Sequence, residues 1–167
     1  MTLPPPPPCC SLPIPPCNHR LFFPVSSQQI SDADHSDNDH QGLVCNQAYR
    51  VLIVDDELAV ATVLGELLEQ AGCQVLTCTD SSEAMQIITE RLDQFDIMVT
   101  DQTMPNITGA QLATRALELD ASFPVIICTG YSAHMNSEIA SKLGIKRLLN
   151  KPVPLNQLLT VINEVLS

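Results

Sequence analysis

Side chains that could react or bind metal stand at the ends of aliphatic runs in this chain. They are Asp55, Asp56, Asp101, Thr129 and Lys151. Carboxylate oxygens suit a hard divalent ion, and Mg²⁺ takes few protein carboxylates while keeping sites for water and phosphate oxygens. A carboxylate beside such an ion can attack a phosphoryl group, while a hydroxyl and an ammonium hold the phosphoryl oxygens. The residue types therefore predict Mg²⁺-dependent phosphoryl transfer to an aspartate.

The carboxylates themselves predict the cation. Acids are rarely buried, yet Asp55 and Asp56 directly follow the run VLIV. At roughly 4 Å and an effective dielectric near 20, two ionised carboxylates repel by about 4 kcal/mol, which a divalent ion would offset. Asp101 is the predicted nucleophile because it stands alone after its run. The loop QTMPNITG that follows contains Pro and Gly and leaves this carboxylate accessible.

The surrounding elements must bring these residues to one place. Strand-like runs occur at 51–54, 74–78, 96–100, 125–128 and 146–149. Apolar residues with helical spacing predict a helix over 58–71, with Gly72 as its C-cap. Asp80 and Glu83 predict a capping box at the start of the next helix. A further apolar helical face follows Pro154.

Five alternating strand and helix units predict an α/β fold. The expected form is a flavodoxin-like, doubly wound five-stranded parallel sheet of order 2-1-3-4-5, with five helices on its two faces. Ligands in such sheets bind outside the carboxyl ends of the strands, where the winding direction switches. The first and third strands are neighbours there, so the three aspartates should converge with Thr129 and Lys151 on one edge.

The first part of the chain has a different composition. Nine of the thirteen prolines fall in residues 1–24, and residues 26–47 are polar and acidic. We therefore predict a disordered head over 1–47, Pro-rich and then acidic, and a folded domain over 48–167. A net charge of -11 argues against direct binding of nucleic acid. There is no apolar run long enough for a membrane span and no signal-peptide pattern, so the expected location is cytoplasmic, without membrane contact.

The seven cysteines are scattered rather than spaced as a disulfide framework. Cys73, Cys78 and Cys128 lie in apolar segments and are expected as buried thiols in a reducing compartment. Cys9, Cys10 and Cys17 lack the paired C-x-x-C spacing of a zinc site.

Four segments carry a resemblance to a known family. VLIVDDE, DIMVTDQTMPNITG, VIICTGYS and LLNKPV are similar, in order and spacing, to the receiver domain of two-component response regulators, over residues 49–167. The resemblance implies that Asp55 and Asp56 bind Mg²⁺ and that Asp101, also at the metal, accepts a phosphoryl group from a kinase histidine. It further implies that the backbone carbonyl of Thr103 completes the metal's protein ligands.

The resemblance also assigns a switch. It implies that the Thr129 hydroxyl closes on the phosphoryl group, that Lys151 senses the phosphate, and that Lys151-Pro152 is a cis peptide. The family usually has Tyr or Phe three residues before the lysine, where this chain has Leu148. Tyr131 is not its replacement by position.

The resemblance implies phosphorelay signalling rather than an enzyme with a diffusible product. The expected partners are a sensor histidine kinase or a histidine phosphotransfer protein upstream, and a protein partner downstream. CTGYS and LLNKPV look most like receivers fused to hybrid histidine kinases, and LFFPVSS at 21–27 resembles the end of a kinase ATP-binding domain. Two alternatives remain open: a phosphorylation-silent interaction module, favoured by Leu148, and an aspartate phosphatase, disfavoured because Thr103 replaces the second acid.

Overall fold

The chain forms a five-stranded parallel sheet in a computed structural model that describes residues 45–130 and 136–167. The strands are β1 (Arg50–Val54), β2 (Gln74–Cys78), β3 (Ile97–Asp101), β4 (Val125–Thr129) and β5 (Arg147–Asn150). Their order is β2-β1-β3-β4-β5. The predicted sheet order is confirmed. Asp101 and Thr129 are the last residues of their strands rather than the first residues beyond them.

Five α-helices cover the two faces of the sheet. They are α1 (Leu58–Gln70), α2 (Ser81–Arg91), α3 (Gly109–Leu119), α4 (Ser137–Lys142) and α5 (Leu155–Leu166), with a short 3-10 helix at Leu92–Gln94. Residues alternate along β1 between the two apolar cores. Val51 and Ile53 pack with α1 and α5, while Leu52 and Val54 pack with α2, α3 and α4. The predicted doubly wound architecture is therefore confirmed.

The helix ends follow local sequence signals. The Asp80 carboxylate accepts hydrogen bonds from the Ser82 and Glu83 amides, so the predicted cap of α2 is confirmed. A reciprocal capping box occurs at α3, between Thr108 and Gln111. Gly72 follows α1 with a φ of 96°, in the left-handed region that favours glycine.

The prediction of free buried thiols is wrong for Cys73, which forms a disulfide with Cys45. Cys45 precedes β1 and Cys73 precedes β2, and the parallel pairing of Arg50 with Gln74 brings the two entry segments together. The Cys45 amide also donates to the carbonyl of Ala71. The pairing thus depends on strand register, which the sequence separation of 28 residues does not reveal. Cys78 and Cys128 are buried thiols as predicted, and burial raises the pKa of each to about 12.

We expect reduction of the Cys45–Cys73 disulfide to destabilise the domain. Closing a loop of this length lowers the entropy of the unfolded chain and contributes about 3 to 4 kcal/mol. The free energy of unfolding, measured in urea with and without a reductant, should fall by about this amount when the disulfide is reduced. Cys45→Ser should be less stable already and insensitive to the reductant. An equal response of the wild type and Cys45→Ser would contradict the prediction.

Within the described residues, no helix is both long enough and apolar enough to cross a membrane. The prediction for the head falls almost wholly outside the described residues, as do the LFFPVSS segment, Tyr131, Cys9, Cys10 and Cys17.

Candidate functional site

Two carboxylates and one ammonium meet at the carboxyl ends of the central strands. Lys151 Nζ lies 2.7 Å from Asp55 Oδ2 and 2.7 Å from Asp101 Oδ1. Asp55 directly follows β1, Asp101 ends the neighbouring strand β3, and Lys151 directly follows β5. The fold therefore brings together three predicted site residues, of which the first and last are 96 residues apart in sequence.

The two carboxylates are buried but each has a second hydrogen-bond partner. Asp55 is 3% exposed and Asp101 is 6% exposed. The Glu57 amide donates to Asp55 Oδ1 at 3.0 Å, and the Thr103 amide donates to Asp101 Oδ2 at 2.6 Å. Among the described residues, no buried side-chain nitrogen or oxygen lacks a partner. The burial of these charges is thus sustained by pairing at every carboxylate oxygen.

Lys151 remains protonated across the physiological range. Burial lowers the pKa of Lys151, but hydrogen bonds from its ammonium to Asp101 and Asp55 outweigh burial and raise the pKa above its usual 10.5. Because the pKa of Lys151 is higher in the folded state than in the unfolded state, the charged ammonium adds to the free energy of unfolding. This contribution has its full value below pH 10.5. That contribution is lost only as the pH rises through the higher, folded-state value.

The other predicted site residues stand at or just beyond the carboxyl ends of β1, β3 and β4. Asp56 is exposed beside Asp55, and Thr103 is exposed two residues beyond Asp101. Thr129 is 3% exposed at the end of β4, and its hydroxyl donates to the Gly130 carbonyl at 3.2 Å.

The residues fit Mg²⁺ in charge and in ligand type. Three carboxylates and one ammonium leave two negative charges uncompensated, which equals the charge of one Mg²⁺. In the parts of the chain that the structure describes, no three His, Cys, Asp or Glu side chains are grouped closely enough to hold a metal ion together. Mg²⁺ does not require three such ligands, because it usually keeps several waters and uses one or two carboxylates. Asp55 and Asp101, with exposed Asp56 and Thr103 at their side, suit such an open site.

One feature of the site matches the resemblance, and another departs from it. Lys151-Pro152 is a cis peptide, as the resemblance implied. Leu148 lies in β5, partly buried against the apolar core beneath α2, α3 and α4. This chain thus places an aliphatic side chain where the family usually has an aromatic ring.

Sequence reasoning missed how closely α3 approaches β3. A Cβ atom on Gly109 would lie 2.2 Å from the carbonyl oxygen of Asp101. The Gly109 amide donates to the Gln102 carbonyl, and the Ala110 amide donates to Gln102 Oε1. The Gly in QTMPNITG indicates only an accessible loop in the sequence. Its position three residues before the first helical leucine of α3, Leu112, carries no signal of this contact by itself.

We expect Lys151→Met to destabilise the ion-free domain by about 2 to 4 kcal/mol at neutral pH, because it leaves two buried carboxylates facing each other. Mg²⁺ should restore more stability to this variant than to the wild type, since it replaces the missing positive charge. Urea unfolding with Mg²⁺ or with EDTA measures both effects.

Lys142→Met is the matched control for this prediction. Lys142 Nζ lies 2.8 Å from Glu138 Oε1, nearly the Lys151 distance, but both side chains are more than 70% exposed. Such a pair contributes about 0.5 kcal/mol or less. Equal losses in the two variants would show that burial of the Asp55–Lys151–Asp101 group does not matter.

Known proteins are similar to this chain in sequence and in fold. The family model described as the response regulator receiver domain matches residues 51–163. Protein PilH of Pseudomonas aeruginosa is 35% identical over 121 residues, which are 71% of this chain and 98% of PilH. The sensor histidine kinase RcsC of Escherichia coli is 29% identical over 144 residues, which are 84% of this chain. This chain spans 14% of the length of RcsC and 24% of that of the transcriptional regulator NtrC of a Bradyrhizobium species.

A solved structure shows the same fold. The response regulator receiver domain protein of Clostridium thermocellum superposes with a TM-score of 0.67 at 32% identity, covering 71% of this chain and 94% of its own.

Proposed function

Because this chain belongs to the response regulator receiver domain family of two-component signalling, we propose that Asp101 is its phosphoacceptor. We further propose that Asp55, Asp56, Asp101 and the Thr103 carbonyl hold Mg²⁺, as receiver domains generally do at their acidic pocket. The observation that supports this assignment best is the single ammonium of Lys151 shared by Asp55 and Asp101, at 2.7 Å from each.

The proposed reaction is an in-line displacement at phosphorus. An oxygen of Asp101 attacks the phosphorus atom, an O–P bond forms, and the bond from phosphorus to the donor breaks. A phosphohistidine donor whose other ring nitrogen carries a proton leaves as neutral imidazole, with the bonding electrons on the nitrogen that held the phosphorus. Bound Mg²⁺ would supply positive charge to the oxygens of the transferring group.

Lys151 and Thr129 have proposed roles after the transfer. Once Asp101 is converted to an acyl phosphate, one of the two carboxylates that hold Lys151 loses its charge. The ammonium can then pair with a phosphoryl oxygen while keeping its bond to Asp55. The Thr129 hydroxyl, which donates to the Gly130 carbonyl in the unphosphorylated arrangement, can rotate to donate to a phosphoryl oxygen instead. A surface formed by α4, β5 and α5, biased by this change, would pass the signal to the protein partner.

The upstream partner we propose is a sensor histidine kinase or a histidine phosphotransfer protein, with a protein partner downstream. The similarity to RcsC, a sensor histidine kinase, supports the idea that this sequence is part of a hybrid kinase. We also propose a head over residues 1–47, a receiver domain over residues 48–167 and a cytoplasmic location. The domain is a signalling module, and we propose that it catalyses only its own phosphorylation and hydrolysis.

A phosphorylation-silent interaction module is the second candidate, and Leu148 is the observation in its favour. In the family, the aromatic ring moves when the threonine closes on the phosphoryl group. This chain has Leu148 at that position, so a movement of Thr129 would not be accompanied by the movement of a ring. The complete set of Asp55, Asp101, Thr129 and Lys151 favours the phosphoacceptor.

Acetyl phosphate separates the two candidates. Incubation of the protein with acetyl phosphate and Mg²⁺, followed by intact-mass measurement, should show one added phosphoryl group. Replacement of Mg²⁺ by EDTA should remove the adduct. A protein that binds Mg²⁺ and remains folded but gains no mass under any condition would support the silent module and overturn the phosphoacceptor.

A further inference from the structure

We infer that Ser81, at the start of α2, positions the loop between β3 and α3 for metal binding. This inference rests on the proposed function, because that loop carries Thr103, whose carbonyl is the proposed metal ligand.

Ser81 joins two segments that are distant in sequence. Its hydroxyl donates to the Pro105 carbonyl at 2.6 Å and accepts from the Ile107 amide at 3.3 Å. Ser81 is 4% exposed. A buried hydroxyl that both donates to and accepts from one loop fixes the position of that loop more tightly than a single bond would.

The Ser81 hydroxyl projects from a rigid support. The Asp80 side chain caps α2 through the Ser82 and Glu83 amides, and the Asp80 carbonyl accepts from the Ala84 amide. Ser81 lies within this capped turn. The first turn of α2 therefore acts as a fixed point against which the loop is held.

The loop needs such a support because its backbone is irregular. Asn106 has a φ of 66°, in the left-handed region that few residues adopt readily. Gln102 lies at the start of the loop and accepts hydrogen bonds from the Gly109 and Ala110 amides at the start of α3. These bonds hold the two ends of the loop together. Ser81 contacts the middle of the loop, on either side of Asn106. It thereby limits the movement of the segment that begins at Thr103.

Removal of the hydroxyl should loosen the loop without unfolding the domain. In Ser81→Ala the Pro105 carbonyl still accepts from the Ile107 amide, at 2.8 Å, so it is not left without a partner. The loop would then have to be ordered when metal binds, and that entropic cost would appear as weaker Mg²⁺ affinity.

Mg²⁺ titration followed by amide NMR tests the inference without any phosphodonor. Loss of about one net hydrogen bond should raise the Kd for Mg²⁺ by about 3- to 10-fold in Ser81→Ala. The Ile107 amide should also exchange with solvent faster. Ser82→Ala is the matched control, because Ser82 is exposed and adjacent, and it should leave both values unchanged. If Ser81→Ala does not fold, Ser81→Cys supplies a weaker donor of similar size and should give an intermediate Kd.

The outcomes are distinguishable. If Ser81→Ala binds Mg²⁺ with the wild-type Kd, the positioning role of Ser81 is overturned, even if the midpoint of thermal unfolding is lower. The proposed function would then be unaffected. A wild-type protein that shows no Mg²⁺ shifts at Asp101 and Thr103 would overturn the proposed function and this inference with it.

Discussion

Asp101→Asn is expected to abolish the Mg²⁺-dependent phosphoryl adduct entirely. The asparagine side chain has nearly the shape of the carboxylate, and its oxygen can still accept a hydrogen bond from the backbone N–H of Thr103. A carboxamide is not a nucleophile toward phosphorus, however. Lys151 keeps its bond to Asp55, so the variant should remain folded. Intact mass after incubation with acetyl phosphate and Mg²⁺ should equal the mass of the untreated protein.

Asp93→Asn is the control for this loss. Asp93 is exposed in the 3-10 helix after α2, outside the ion pair at the strand ends. This variant should form the adduct to the wild-type extent. An adduct of wild-type yield in Asp101→Asn would show that another side chain accepts the phosphoryl group.

Gly109→Ala is expected to lower the free energy of unfolding by about as much as Lys151→Met, although it adds only one methyl group. The new Cβ would lie 2.2 Å from the Asp101 carbonyl oxygen, 3.0 Å from its carbon and 3.1 Å from the Gln102 Cα. All three atoms are backbone, so α3 or β3 must shift. Such overpacking costs about 3 kcal/mol, which exceeds the roughly 1 kcal/mol that alanine contributes over glycine in a helix.

The shift should also reach the site, because the displaced backbone belongs to Asp101 and Gln102. We expect weaker Mg²⁺ binding together with the lower free energy of unfolding, measured by amide NMR and urea denaturation. Gly130→Ala is the control, since nothing lies within 4 Å of a Cβ added there. Equal stability of the two variants would contradict the close approach of α3 to β3.

The sheet and the central ion pair were predictable because they depend on patterns that are local along the chain. Aliphatic runs such as Val51–Val54 mark strands that are buried on both faces. Short alternating units then leave few ways to wind the sheet. Asp55, Asp101 and Lys151 were recognisable because each stands at the end of such a run.

The remaining features depend on register and on contacts between loops. Cys45 and Cys73 meet because β1 pairs with β2 in one register, which the spacing of the cysteines does not encode. The contact of Ser81 with Pro105 depends on how the loop after β3 folds back toward α2. A serine at a helix start ordinarily indicates a cap, but Asp80 caps α2 instead.

Chemical localisation of the phosphoryl group tests the central claim most directly. Borohydride reduces an aspartyl phosphate to an alcohol, which converts the acceptor aspartate to homoserine, and peptide mass spectrometry then identifies the position. We predict homoserine at 101 in protein treated with acetyl phosphate and Mg²⁺, with Asp55 and Asp56 unchanged. Homoserine at 55 or 56, or an adduct that yields none at 101, would contradict the assignment of Asp101 as the phosphoacceptor.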